Sequence, residues 1–131
     1  MNALLRHRLA QPLTLGQFIR DLPGVRPVLT RQLILSGELL SQTEREDLFT
    51  YQGIDGPCWM IGPTAAAAVL AHYEAARLPM KSGERPRTAP RARRYVENAD
   101  QVRAVMRTRG PEFRLFRRER ASEAGMSSVE A

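Results

Sequence analysis

The 131-residue sequence has a single cysteine, a single tryptophan, only 6% aromatic residues and no long apolar run. Roughly 20 consecutive apolar residues are needed to cross a bilayer, and here Arg, Gly or Pro interrupts every apolar stretch within a few positions. No membrane partner is therefore expected. The N-terminal MNALLRHRLAQPLTL carries Arg6 and Arg8 without a continuous apolar segment and small-residue cleavage site, so it does not read as a secretory signal. A cytoplasmic location is the expectation. With Cys58 alone an internal disulfide is excluded, and Cys58, His7 and His72 are too few and too far apart for zinc spacings. Glycine-rich phosphate loops and paired-carboxylate constellations are also missing, so neither a metal, nor a cofactor, nor catalysis is expected.

What the chain has is arginine, which supplies 19 of its 20 basic residues and most of a formal net charge of +6. A GC-rich genome would favour Arg over Lys, but such a bias does not explain where the excess sits. Residues 1–80 hold seven basic and seven acidic residues, with 39 apolar positions. Residues 81–131 hold 13 basic against seven acidic residues, with only 17 apolar positions. The first part can bury a core, whereas the second is too polar to do so alone. Between them, KSGERPRTAPRARR combines five Arg with two Pro and reads as an exposed, extended linker. The expected organisation is an N-terminal extension (1–13), a folded domain (14–80) and an Arg-rich, partly disordered tail (81–131).

Within 14–80 the apolar spacing changes from helical to strand-like. Thr14 stands three residues before Gln17, the spacing of a capping box, and Leu15, Phe18, Ile19 and Leu22 follow at helical intervals. A helix is expected over 15–22, ended by Pro23-Gly24. Pro27 suits the first turn of a second helix, with Val28, Leu29, Leu33 and Ile34 as its apolar side and Gly37 as its stop. Three strands are then expected at Leu39-Leu40, Leu48–Tyr51 and Cys58–Ile61, the last two joined by a hairpin loop with two glycines. Ser41–Asp47 reads as an exposed loop or an added helical turn. Gly62-Pro63-Thr64 opens an Ala-rich helix, with Thr64 as N-cap or Pro63 in the first turn, closed by Pro79. In the tail, a helix is expected over 98–108, capped by Asn98, with Val102, Val105 and Met106 on one side.

Helix, tight turn, helix, strand, hairpin and closing helix is the element order of a winged helix-turn-helix, and Pro23–Arg26 has the length of its turn. The string Ser36-Gly37-Glu38-Leu39, the strand pair after it and His72-Tyr-Glu-Ala-Ala-Arg77 resemble the excisionase-like and pyocin-activator-like winged-helix regulators of phages and mobile elements. The resemblance spans roughly residues 14–78. It implies an α+β fold, a small winged helix-turn-helix domain with a short β-hairpin. It also implies a DNA-binding transcriptional or recombination accessory regulator that acts by occupying a site, nucleoid-associated and without catalysis. Two departures stand out: the second helix is unusually apolar, and the wing carries Glu44, Glu46 and Asp47, which would repel phosphates unless they face away from the duplex.

Under that resemblance the polar groups offered to a major groove are Arg26, Thr30, Arg31, Gln32 and Ser36, since Arg suits guanine and Gln suits adenine. The same helix also reads as a core helix with two surface arginines. Arg85, Arg87, Arg91, Arg93 and Arg94 form a block without an intervening acid, which a phosphate backbone rewards through counterion release. Double-stranded DNA is the expected partner, bound by a homodimer or by adjacent copies, because one domain this small covers little DNA. A protein-interaction module is the alternative, acting through the apolar second helix and through Phe113, Leu115 and Phe116. An RNA-binding component of a ribonucleoprotein is another. Trp59 reads as a stacking platform or, more simply, as core or dimer contact. Cys58 with His72 lacks the orienting acid and oxyanion site that a nucleophile requires, so a buried thiol is the plainer reading.

Overall fold

The computed structural model describes residues 13–53, 56–108 and 113–115, and its first helix begins at the expected cap. A short strand, β1 (Leu13–Thr14), runs directly into α1 (Leu15–Arg20), where Thr14 Oγ1 accepts the Gln17 backbone N–H at 3.1 Å. The Gln17 side chain donates instead to Asp21 Oδ1 at 3.3 Å, so only half of a capping box forms. The chain turns through residues 21–26 into α2 (Pro27–Ser36), which Gly37 closes in the left-handed conformation at φ +83°.

α2 does not bury the side that its apolar residues mark out. Thr30 and Ile34 are fully buried, while Val28 is 68% and Leu29 40% exposed. The expected side of Val28, Leu29, Leu33 and Ile34 is therefore corrected to one centred on Thr30 and Ile34. Residues four apart share a helix face, and the 30/34 pair is the one that turns into the interior.

Leu39-Leu40 forms a turn and not a strand, the Leu40 N–H returning to Gly37 O at 3.3 Å. Ser41 then caps a single helical turn, α3 (Gln42–Arg45), through a complete capping box: Glu44 N–H to Ser41 Oγ at 3.2 Å and Ser41 N–H to Glu44 Oε1 at 2.9 Å. β2 (Leu48–Gly53) and β3 (Gly56–Ile61) pair antiparallel with Gly53 opposite Gly56, as a hairpin demands. β1 adds to β3, and β4 (Phe113–Leu115) adds to β2, giving the order β1-β3-β2-β4.

α4 (Pro63–Glu74) follows, with Gly62 as N-cap and Pro63 in the first turn. Its first N–H groups are capped from far along the chain: Asp47 Oδ2 accepts from Thr64 N at 2.6 Å and from Ala65 N at 3.0 Å. The Asp47 carboxylate lies so close that a Cβ on Gly62 would stand 2.1 Å from Oδ1. Burial pushes the Asp47 carboxyl above its ordinary value, although the two backbone N–H groups and Arg103 pull the other way.

The Arg-rich stretch departs most from expectation. It is extended only as far as Ala89; α5 (Pro90–Glu97) and α6 (Ala99–Thr108) then fold back onto the domain. Ala89, Ala92, Tyr95 and Val102 join Phe18, Ile61, Val69 and Tyr73 in one continuous hydrophobic core. The Tyr95 hydroxyl donates to Ile61 O on β3, and its ring meets that of Phe18 at a centroid distance of 6.5 Å and 59°. The boundary expected at residue 80 therefore does not divide the core. The physical reason is spacing: residues 89, 92 and 95 recur every three positions, so a helix gathers these few apolar groups onto one face and leaves the arginines outside. The helix expected over 98–108 is present as α6, but Asn98 Nδ2 donates to Arg94 O at 2.8 Å and so serves the end of α5. Among the described residues the result is an α+β fold of six helices and a four-stranded antiparallel sheet, compatible with a winged helix. The N-terminal extension through residue 12, Phe116 and the rest of the tail lie outside the described residues.

Candidate functional site

The five polar positions expected on the second helix separate once the fold is known. Arg26, Arg31 and Gln32 are exposed on α2. Thr30 is not: it is fully buried, its Oγ1 has no hydrogen-bond partner among the described residues, and it cannot meet a ligand. Ser36 is exposed but occupied, its Oγ donating to Leu33 O at 2.7 Å and accepting the Glu38 N–H at 3.2 Å. The exposed face of α2 thus consists of Arg26, Val28, Leu29, Arg31 and Gln32, a mixture of cationic, amide and apolar groups.

The basic segment after α4 is tied to the turn that precedes this face. Arg26 N–H donates to Pro79 O at 2.8 Å and Lys81 N–H donates to Gly24 O at 2.7 Å, around a bridge between Val25 and Met80. The buried Tyr73 of α4 joins both strands of chain: its hydroxyl donates to Pro23 O at 2.7 Å and accepts the Arg87 N–H at 2.7 Å. Arg91 Nε lies 3.8 Å from Asp21 Oδ2 at the end of α1. Burial raises the Asp21 carboxyl above its ordinary value, against the opposing pull of Arg91 and the Gln17 amide.

These ties bring the two sequence-predicted basic groups together. Residues 20–31 and 77–94 carry ten basic side chains and only Asp21 and Glu84 as acids. Their charges are not equally available. Arg91 is paired with Asp21, Arg93 with Glu74, and Arg87 with Glu84 at 3.9 Å. Arg26, Arg31, Arg85 and Arg94 are exposed without an ion pair among the described residues. A shallow cleft lined by Glu74, Pro86, Arg87, Thr88 and Arg93 opens beside the Tyr73 staple, its positive charge partly cancelled by Glu74. Two of the three acids before the hairpin are engaged within the fold: Glu44 closes the capping box of α3, and Asp47 is turned inward onto α4.

The other singled-out residues have ordinary surroundings. Trp59 is half-buried and packs against the core. Cys58 is a half-buried free thiol whose Sγ lies 3.9 Å from Met60 Sδ, while His72 Nε2 is engaged with Leu39 O at 3.0 Å. Phe113 and Leu115 lie on β4, in register with Tyr51 and Phe49. Among the described residues no group of three or more His, Cys, Asp or Glu is placed to hold a metal ion, and no helix is long and apolar enough to cross a membrane. Sequence reasoning gave Tyr73 only an apolar role in the Ala-rich helix and gave Tyr95 none, whereas their hydroxyls tie the basic segment to the α1–α2 turn and to β3. The signal for Tyr95 was the 89/92/95 spacing within an Arg-rich string, and nothing local marked Tyr73 as a staple.

No protein-family model, curated protein or solved structure matches the chain.

Proposed function

We propose that this chain is a non-catalytic regulator that binds double-stranded DNA, with α1 and α2 as a helix-turn-helix, the β2–β3 hairpin as its wing and the segment 81–94 as a phosphate-contacting arm. The observation that carries the reading is the fastening of that arm to the α1–α2 turn. Tyr73, Gly24 and Pro79 hold it there, so that the basic segment runs beside the turn into α2 while Asp47 and Glu44 are occupied elsewhere. A helix that offers Arg26, Arg31 and Gln32 next to a basic segment matches the chemistry of base edges framed by phosphates. Action is by site occupancy, as a transcriptional or recombination accessory factor, and two copies on adjacent half-sites would supply the area that one lacks.

The test uses the full chain, because α5 and α6 belong to the core. Binding is measured to duplex DNA, single-stranded DNA and structured RNA across a salt series. Duplex preference is expected. Replacing both Arg85 and Arg87 with Ala should flatten the plot of log affinity against log salt by about two units, at roughly 0.9 per phosphate contact. Replacing Arg26 and Arg31 with Ala should remove discrimination among duplex sequences. Equal or better binding to RNA, or no binding to any nucleic acid at low salt, overturns the reading.

A further inference from the structure

Among the described residues, Val28 and Leu29 are the large apolar side chains that the fold leaves open to solvent, at 68% and 40% exposure. They occupy the second and third positions of α2, opposite the buried Thr30 and Ile34. Gln32 follows Val28 by one helical turn and so lies above it on the same outward face. Their surroundings carry a net positive charge: Arg26 precedes them, Arg31 flanks them, and Lys81 is bonded through its backbone to the turn just before the helix, where Glu84 beside Gly24 is a nearby acid. Arginine and a polar rim also border protein interfaces, but this rim carries a net positive charge, Arg26, Arg31 and Lys81 against Glu84. A polyanion with apolar points is the better complement. The major groove of duplex DNA is such a surface, its apolar points being the 5-methyl groups of thymine.

Resting on the DNA-binding reading above, we infer that Val28 and Leu29 read thymine 5-methyl groups, and that Gln32 pairs with N6 and N7 of a neighbouring adenine. The substrate class is then duplex DNA with A·T pairs beneath the first half of α2. Val28 and Gln32 stand about 6 Å apart along the helix, within two base-pair steps of roughly 3.4 Å each. Base pairs about two steps apart can therefore be read by the two side chains at once.

The experiment selects preferred sites for the full chain from a random-sequence duplex pool, then remakes the best site with uracil in place of thymine, position by position. Uracil pairs as thymine does and lacks only the 5-methyl group. Affinity should fall about fourfold at each contacted position, the worth of one buried methyl group. Val28→Ala and Leu29→Ala, at positions outside the buried core, should weaken the thymine duplex and bind thymine and uracil duplexes alike, with urea unfolding of each variant confirming that it is folded under the binding conditions. Arg85→Ala should weaken both duplexes equally. A selected site bound with the same affinity in thymine and uracil form overturns the inference while the DNA-binding reading stands. A pool from which no duplex is enriched overturns both.

Discussion

Removing the Tyr73 hydroxyl should do two separable things. Tyr73→Phe keeps the buried ring and creates no cavity, so its cost isolates the hydrogen bonds to Pro23 O and from Arg87 N–H, each 2.7 Å long. A net intramolecular hydrogen bond contributes about 1 kcal/mol, and stranding a buried partner adds to that. The expected loss is therefore about 2 kcal/mol. With a urea m-value on the order of 2 kcal/mol per molar, the unfolding midpoint should drop by roughly 1 M at unchanged m. The second effect is local. Arg87 is held to the α1–α2 turn through this hydroxyl, so its amide should exchange faster in Tyr73→Phe under native conditions, and the salt slope for duplex binding should shrink as the arm swings away. A midpoint within about 0.2 M of wild type, or unchanged exchange at Arg87, would refute the claim that Tyr73 fastens the arm.

Three further predictions concern the frame around the site. Thr30→Val replaces an unpaired buried hydroxyl with a methyl of similar shape and should raise stability by about 1 kcal/mol in urea unfolding; it should leave nucleic-acid affinity untouched, and a loss of binding would put Thr30 back in the interface. Gly62→Ala drives a methyl into the Asp47 carboxylate and should cost roughly 1–2 kcal/mol by displacing the cap of α4, a penalty that Ala at exposed Gly16 should not share beyond a few tenths in the same assay. Because burial holds the Asp47 carboxyl above 3.8, the native state retains a proton that the unfolded chain has released between the two values. Stability therefore rises as pH falls through the native value. Urea midpoints of wild type should gain on those of Asp47→Asn between pH 7 and about 4; the opposite trend would mean that the caps outweigh burial.

Where the sequence could be read, the determinant was local; where it could not, the partner lay far away. Thr14, Pro27 and Gly37 act on their own turns of helix, and the hairpin declares itself through Gly53 and Gly56. By contrast, the N-terminus of α4 is capped by a carboxylate 17 and 18 residues upstream of the N–H groups it receives. The apolar strip of α2 misled because Thr30 is a tolerable core residue, and only the packed neighbours decide which side turns in. Composition misled in the Arg-rich stretch for a related reason. Average polarity cannot show that Ala89, Ala92 and Tyr95 fall on one helical face. Arg26, Arg31 and Gln32 were legible as exposed candidates, but their meeting with residues 79–91 depended on Tyr73, 50 residues from its acceptor at Pro23.

The arginine block is consequently not a uniform cationic arm. Arg91 and Arg93 hold α5 against α1 and α4 through Asp21 and Glu74, so their charge is partly spent within the fold. An exposed or half-exposed pair of this kind contributes little to stability, in the range of about 0–1 kcal/mol. Its effect on a polyanion is larger, because a phosphate must first compete with a resident carboxylate. Arg85 and Arg94 face no such competitor among the described residues, and Arg26 and Arg31 flank the exposed apolar pair on α2. Charge in this domain therefore divides by location: paired arginines are matched by carboxylates of the fold, and Arg26, Arg31, Arg85 and Arg94 remain open to solvent. That division explains how a stretch composed like a linker can be part of the core and still present the surplus of positive charge.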